Sequence, residues 1–449
     1  MSQGKHVVAI VGAAVAGSEA ASVMADRGIL SVVFDQNPRP FGKIEDGLPR
    51  WHVKQRKKEY EKISAKLARP EISFVPLTTL GKDLPFEELL RGWGFSAVLL
   101  ANGAWRDRPL PVEGVDAYAG KGLVYQNPFV YWFNHFTEKN YRGEQYPILD
   151  NVAVIGGGLA SIDVVKILQI ELTRRALASR GIEVEMLEFE KKGIPKVLES
   201  KGLSWGDLGL KGCTLFYRRR VQDMPLAEYP DGADEKAKEK THQIRARILE
   251  NCREKFLFQF HDQHLPTGPI VEGGRLVGLK FVRTQVVGGK AQPLPGTEFD
   301  HRTPMILSSI GSVPGIISGL AMKGETYEVE DWDTGKIKGY EHLWGLGNVV
   351  TGKGNIQASL KHGSFVAGHV ASTYLGVSGE ADGPGLYAAQ EAAVQETAGK
   401  IAAKIGARPV LAMERVEAIL ERARSRQRQV GYDGNLAAWL AKVTPPDME

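Results

Sequence analysis

The chain has 449 residues, of which 43% are hydrophobic and 24% charged. That length suits two or three domains with cores of their own, and the balance excludes a disordered chain. The formal net charge of +4 is too small to point to nucleic acid. The two cysteines, Cys213 and Cys252, supply no C-x-x-C redox pair, no iron–sulfur ligand set and no cysteine-based zinc site, so no metal site is expected.

The opening "MSQGKH" leads directly into an apolar strand, "HVVAIV". With no signal-peptide region before it and no apolar run of about 18 residues anywhere, the chain reads as cytoplasmic and not inserted in a membrane. A helix is expected from Ala16 to Arg27 and a second strand at "SVVFD". Another apolar run, "FSAVLLANGA" (95–104), precedes the proline-rich "RPLPVEG". The pattern restarts at "NVAVIGGGLASIDVVKIL" (151–168) and continues, after a long insertion, with "CTLFYRRR". "PMILSSIGSVPG" (304–315) and "HLWGLGNVVTGKGNI" (342–356) add two more junctions between strand and turn. Beyond about residue 380 an Ala-, Glu- and Arg-rich stretch reads as a helical extension. Strands alternating with helices, and glycine clusters at strand ends, predict an α/β protein on parallel sheets with two nucleotide-binding units.

The first turn carries Gly12, Ala14 and Gly17 in the three positions of G-x-G-x-x-G. The first glycine permits the tight turn, the second lets backbone approach a pyrophosphate, and the third lets helix pack on strand. Ala14 adds one methyl group, tolerable if its backbone angle is ordinary, and Asp35 closes the second strand where a carboxylate can bind a ribose. A glycine turn without a ligand is the alternative. In the second unit Gly156, Gly158 and Ser161 fill the three positions, and Arg218, Arg219 and Arg220 replace the acid expected for NAD. Guanidinium groups there suit the 2′-phosphate of NADP, unless they form only a solvated basic loop. In "PRPFGKIEDGLPRWHVK", Gly42 and Gly47 bracket a turn able to bring backbone against a flat ring system, while His52 either serves that site or is a solvated loop residue beside Arg50 and Lys54.

The order of these motifs, from the first turn through "PRPFGKIEDGLPRWHVK", "VIGGGLASIDVVKIL", "YRRR", "ILSSIG" and "TGKGNI", resembles the adrenodoxin reductase family of FAD-containing NADPH:ferredoxin oxidoreductases over residues 6–375. "YRRRVQDMP" is also similar to the NADPH-oxidising small subunit of glutamate synthase. The resemblance implies two Rossmann-like, three-layer dinucleotide-binding domains, the NADP domain (113–338) inserted between segments 1–112 and 339–380 of the FAD domain; the composition assigns 381–449 to the helical extension. It places Ala16 and Asp35 at the adenosine end of FAD, with Lys43 and Leu84 lining the cofactor. Gly347, Asn348, Gly354, Asn355 and Ile356 would lie by the flavin, Asn348 standing where the family has a tryptophan. Gly157, Leu159, Ala160, Arg218, Arg219 and Glu228 would surround NADP, and His52 and Glu228 are the implied catalytic residues. Hydride would pass from NADPH to FAD, and single electrons then to a ferredoxin-like acidic iron–sulfur protein. Three basic runs, "KQRKKE", "LTRRALASR" and "ERARSRQR", are candidate docking surfaces if they are not merely solvated helix faces. Two other roles remain open: an electron-input subunit of a larger enzyme, or a non-catalytic sensor of FAD or NADP.

Overall fold

The computed structural model describes residues 4–230, 232–378 and 408–446. The chain divides into two compact units. One takes the residues up to Leu48, His52–Arg106 and the described residues from Ser312 onward; the other takes Pro49–Trp51 and Asp107–Gly311.

The first unit is built on a seven-stranded sheet. Its parallel core runs Leu343–Gly345, Ala97–Leu100, Val7–Val11, Leu30–Phe34, Ile72–Val75 in spatial order, with Val7–Val11 in the middle. The strand Val7–Val11 is apolar at every position because both its faces are covered, as parallel sheets require. Val8 and Ile10 face a cluster with Ala20, Ala21 and Met24 of the Val15–Ala25 helix and Val366 and Val370 beyond it. Val7, Ala9 and Val11 face the opposite cluster, where Phe34, Trp93 and Phe95 pack ring on ring at 5.3–6.4 Å.

The second unit has a five-stranded parallel sheet in the order Leu123–Tyr125, Ile306–Ser309, Ala153–Gly156, Thr214–Phe216, Gln259–His261. Val152 and Val154 look into a helical layer that includes Val164, Val165 and Leu168. Ala153 and Ile155 look the other way, against Leu276, Leu279 and Phe281 of an antiparallel sheet made by His264–Glu272, Arg275–Val287, Lys290–Pro293 and Phe299–Arg302. Both units are thus Rossmann-like and α/β, and the second is inserted in the first.

The insertion ends earlier than the sequence suggests, at residue 311 rather than 338. The short strands Val329–Asp331 and Lys336–Ile337 pair in succession onto Leu343–Gly345, and Gly345 N–H donates to Gly335 C=O at 2.8 Å. These hydrogen bonds tie residues 312–338 to the first sheet. The insertion also begins at Asp107 rather than 113.

Of the extension expected from 381 onward, residues 381–407 lie outside the described residues. The remainder forms helices Met413–Gln429 and Leu436–Val443. The first buries Val416, Ile419 and Ala423 on one face of the first sheet, and the second buries Leu436 and Trp439 on the other. In the last turn of the first helix Gln427 Nε2 donates to Phe74 C=O at 2.7 Å, so the segment wraps the edge strand Ile72–Val75 and occupies one of its carbonyls. No helix among the described residues is long and apolar enough to cross a membrane.

Candidate functional site

In the first unit the turn after Val7–Val11 sits where strand order reverses, with Leu30–Phe34 on one side and Ala97–Leu100 on the other, the position at which open α/β sheets bind ligands. Gly12 has φ +99°, and a Cβ there would overlap the Ala101 carbonyl oxygen. A Cβ on Gly17 would overlap Gly12 O, so this glycine fixes how closely helix meets strand. Ala14 has φ −70°, ordinary for any residue, which is why the missing central glycine costs nothing in strain. Ala14 and Gly158, at the N-termini of Val15–Ala25 and Leu159–Ala178, provide no side-chain cap. By contrast Asp234, Asn355 and Asn435 do cap their helices. Both turns therefore leave first-turn N–H groups without a side-chain acceptor, the arrangement that receives phosphate.

Asp35 is 6% exposed. Its Oδ2 accepts from Ala13 N–H at 2.7 Å and its Oδ1 from Asn37 N–H at 2.8 Å, while burial pushes its carboxyl up to about 6. Two of the roughly four lone-pair sites of a carboxylate are thereby used, leaving acceptors for two ribose hydroxyls. Gly42, at φ +50°, brings the following loop against Ala14, where a Cβ would come within 2.9 Å of the Ala14 methyl. Gly47 has an ordinary φ of −119°. Lys43 Nζ donates to Ser312 Oγ at 3.1 Å. Beneath the loop Arg39 pairs with Glu45 at 2.6 Å, both buried, and Phe41 stacks on Tyr60 at 4.0 Å. His52 is half-buried at the N-terminus of Val53–Leu67, its carbonyl accepting from Arg56 N–H. Leu84, expected to line the cofactor, is fully buried among the first unit's core residues, in the turn closed by the Leu80–Leu84 bridge.

The segment 347–356 closes over the same turn. Gly347 has φ +69°, and its Cβ would fall 2.6 Å from the Ala16 methyl. Asn348 Oδ1 accepts from Gly354 N–H at 2.8 Å, and Asn355 Oδ1 caps its helix through Ala358 N–H at 2.6 Å, leaving Ile356 as the first helical residue. Two residues here escaped the sequence reading. His362 Nδ1 accepts from Gly347 N–H at 2.9 Å, and burial lowers its pKa, so the ring is held neutral with its proton on Nε2. Gly363 packs on Ala16, where a Cβ would meet the Ala16 carbonyl oxygen at 2.7 Å. Their spacing of a helical turn and more from the glycine motif gave no local signal.

In the second unit Gly156 lies against Ser309, and a Cβ on Gly157 would overlap the Tyr217 ring. A Cβ on Gly158 would meet nothing closer than Pro225 at 3.8 Å. Leu159 and Ala160 are exposed at the helix start. The arginines divide by role. Arg219 braces the strand end, donating to Tyr217 Oη at 3.1 Å, Asp223 C=O at 3.2 Å and Gly289 C=O at 3.4 Å. Arg220 pairs with Asp223 at 2.9 Å and holds that carboxyl below its usual range. Arg218 is exposed and its guanidinium makes no hydrogen bond or ion pair to a described residue. Glu228 is exposed in the same unit, whereas His52 belongs to the first.

The basic runs are largely consumed internally. Arg56 is buried, donating to Tyr60 Oη and Glu45 C=O. Arg174 pairs with Glu171, Arg422 with Glu88, and Arg424 and Arg428 with Glu421. Lys57 and Lys58 stay on the exposed face.

No protein-family model matches the chain. Curated relatives include subunit beta of the NADPH-Fe(3+) oxidoreductase of Geobacter sulfurreducens, 27% identical over 69% of this chain and 37% of the relative. The small chain of the NADPH glutamate synthase of Bacillus subtilis is 32% identical over 35% of this chain and 31% of its own length. The mitochondrial NADPH:adrenodoxin oxidoreductase of Arabidopsis thaliana is 28% identical over 41% and 37%. The chain is similar in sequence to these three NADPH oxidoreductases over the stretches given. It spans well under half the length of each of the three. Among solved structures, Mycobacterium tuberculosis FprA in complex with NADPH superposes with a TM-score of 0.64 at 18% identity, covering 95% of this chain and 91% of that one, a likeness of fold.

Proposed function

We propose that the chain is an NADPH-dependent FAD oxidoreductase that hands electrons singly to an acidic, ferredoxin-like iron–sulfur protein. The observation that carries this reading is the contrast between the two turns: each ends the central parallel strand of its own sheet, one answered by the buried acid Asp35 and the other by the exposed base Arg218. An acid takes ribose hydroxyls and repels phosphate; a guanidinium does the reverse. FAD accordingly belongs to the first turn and NADPH to the second.

When bound, FAD supplies the step from hydride to single-electron chemistry. The protein binds and orients. Val15–Ala25 presents its uncapped N-terminus to the pyrophosphate, Asp35 takes the ribose, and the 42–47 and 347–356 segments bring backbone close to the ring system. Leu159–Ala178 presents the equivalent N-terminus to the nicotinamide dinucleotide, with Arg218 at the 2′-phosphate. His52 and Glu228 are the titratable groups assigned to the chemistry. The relative that reduces adrenodoxin supports an iron–sulfur acceptor, and the exposed Lys57 and Lys58 offer it positive charge. A second reading, an electron-input module of a larger assembly, is favoured by the 37% coverage of the Geobacter subunit.

The purified chain should carry extractable FAD at about one per chain, bleach on NADPH far more readily than on NADH, and reduce ferricyanide. Extracted FMN, or failure to take up added FAD, would sink the assignment of the first turn. A second polypeptide that co-purifies at fixed ratio would favour the input-module reading.

A further inference from the structure

The extension that wraps the first sheet ends against the loop that follows Asp35. Trp439 Nε1–H donates to Pro38 C=O at 2.7 Å. The indole is 5% exposed and packs edge-on against Tyr432 at 5.5 Å, which in turn packs edge-on against Phe74 of the edge strand at 5.8 Å. Its helix is capped by Asn435 Oδ1, which accepts from Ala438 N–H. Packing therefore fixes the ring before it meets the loop, and its N–H is aimed rather than opportunistic.

The carbonyl it holds is one residue beyond Asn37, whose N–H fixes Asp35 Oδ1, and four residues before Gly42, which abuts Ala14 at the turn. Prolines at 38 and 40 carry no N–H, so this stretch has few backbone donors with which to anchor itself. From these contacts we infer that Trp439 is a positioning residue for FAD: it pins the 36–42 loop, and through it Asp35 and Gly42, in the arrangement that holds the dinucleotide. The inference rests on the assignment of FAD to the first turn and adds that cofactor retention is controlled from the far C-terminal helix.

The test compares FAD release from the holoprotein, followed by flavin fluorescence after dilution, in wild type, Trp439→Phe and Arg422→Ala. Phenylalanine keeps an aromatic ring in the cluster and deletes the donor. Arg422→Ala loosens the same extension in its preceding helix, removing the Glu88 ion pair and the bond to Gly92 C=O without touching the loop. Losing one hydrogen bond predicts release about two- to tenfold faster in Trp439→Phe. Arg422→Ala should lower the unfolding temperature of the apoprotein yet release FAD at the wild-type rate. Wild-type release from Trp439→Phe, or equal acceleration in both variants, overturns the inference alone. A wild-type chain that holds no FAD overturns the cofactor assignment and the inference with it.

Discussion

The carboxylate of Asp35 and the backbone amide of Ala13 meet at 2.7 Å, so the acid that ends the second strand also shapes the turn that ends the first. One residue thus does two jobs, and its titration reaches both. Its carboxyl is raised from an ordinary 3.8 to about 6, first by burial, against the opposing pull of the Ala13 and Asn37 amides. Because the folded value lies above the unfolded one, the native state holds the proton more tightly. The stability this contributes is complete below pH 3.8 and is lost as pH rises through about 6. Urea midpoints of the apoprotein across that window should fall with rising pH in the wild type and flatten in Asp35→Asn. An unchanged slope would show that another group dominates.

The two glycine positions of the first turn should respond in opposite ways. Gly17→Ala drives a methyl into Gly12 O, forces helix from strand, and should abolish FAD retention. Ala14→Gly removes a methyl at an unstrained N-cap where glycine is preferred to alanine, so stability should hold or rise by a few tenths of a kcal/mol. Flavin content and thermal midpoints of the two variants decide this. Full retention in Gly17→Ala would refute the close approach.

Arg218 and Arg219 should separate kinetically. A charge-assisted hydrogen bond contributes about 1.5–3 kcal/mol, so Arg218→Ala should raise KM for NADPH roughly tenfold to a hundredfold and leave NADH unaffected. Arg219→Ala removes the brace on Tyr217 and Asp223 and should impair both coenzymes. If Arg218→Ala keeps its preference for NADPH, the base opposite the second turn has another purpose.

Neither thiol is expected to carry electrons. Burial pushes both Cys213 and Cys252 above their ordinary range, which keeps them protonated and unreactive. The Cys213→Ser/Cys252→Ser double variant should retain ferricyanide reduction while losing about 1–3 kcal/mol of stability, chiefly from the hydroxyl placed at position 213, where exposure is 2%. Lost activity in a folded, flavin-loaded double variant would implicate a thiol.

What could be read in the sequence was local. The glycine turns, the apolar strands and Asp35 announce themselves within a few residues, since turn geometry and strand burial are short-range matters. Pairing between distant segments is not. The strands Val329–Asp331 and Lys336–Ile337 are short and polar, so nothing in their pattern reveals that they extend the first sheet. The arginine-rich runs look like open charge although Glu171 and Glu421, within a turn or two, already engage Arg174, Arg424 and Arg428; only the Glu88 partner of Arg422 stands far away in sequence. Leu84 carries no mark distinguishing a core leucine from one beside a ligand. His362 and Trp439 gain their roles only from what the fold sets beside them, a glycine amide and a proline carbonyl.

The nested order of the two units also sets a timetable for the nascent chain. Residues 107–311 form a continuous stretch that can collapse as soon as it leaves the ribosome, while the first sheet waits for strand Leu343–Gly345 and then for Trp439. Until then the edge strand Ile72–Val75 and the apolar faces beside it lack their cover. Premature termination between 345 and 413 would consequently release a chain with a finished insert and a first sheet whose edge strand lacks its cover.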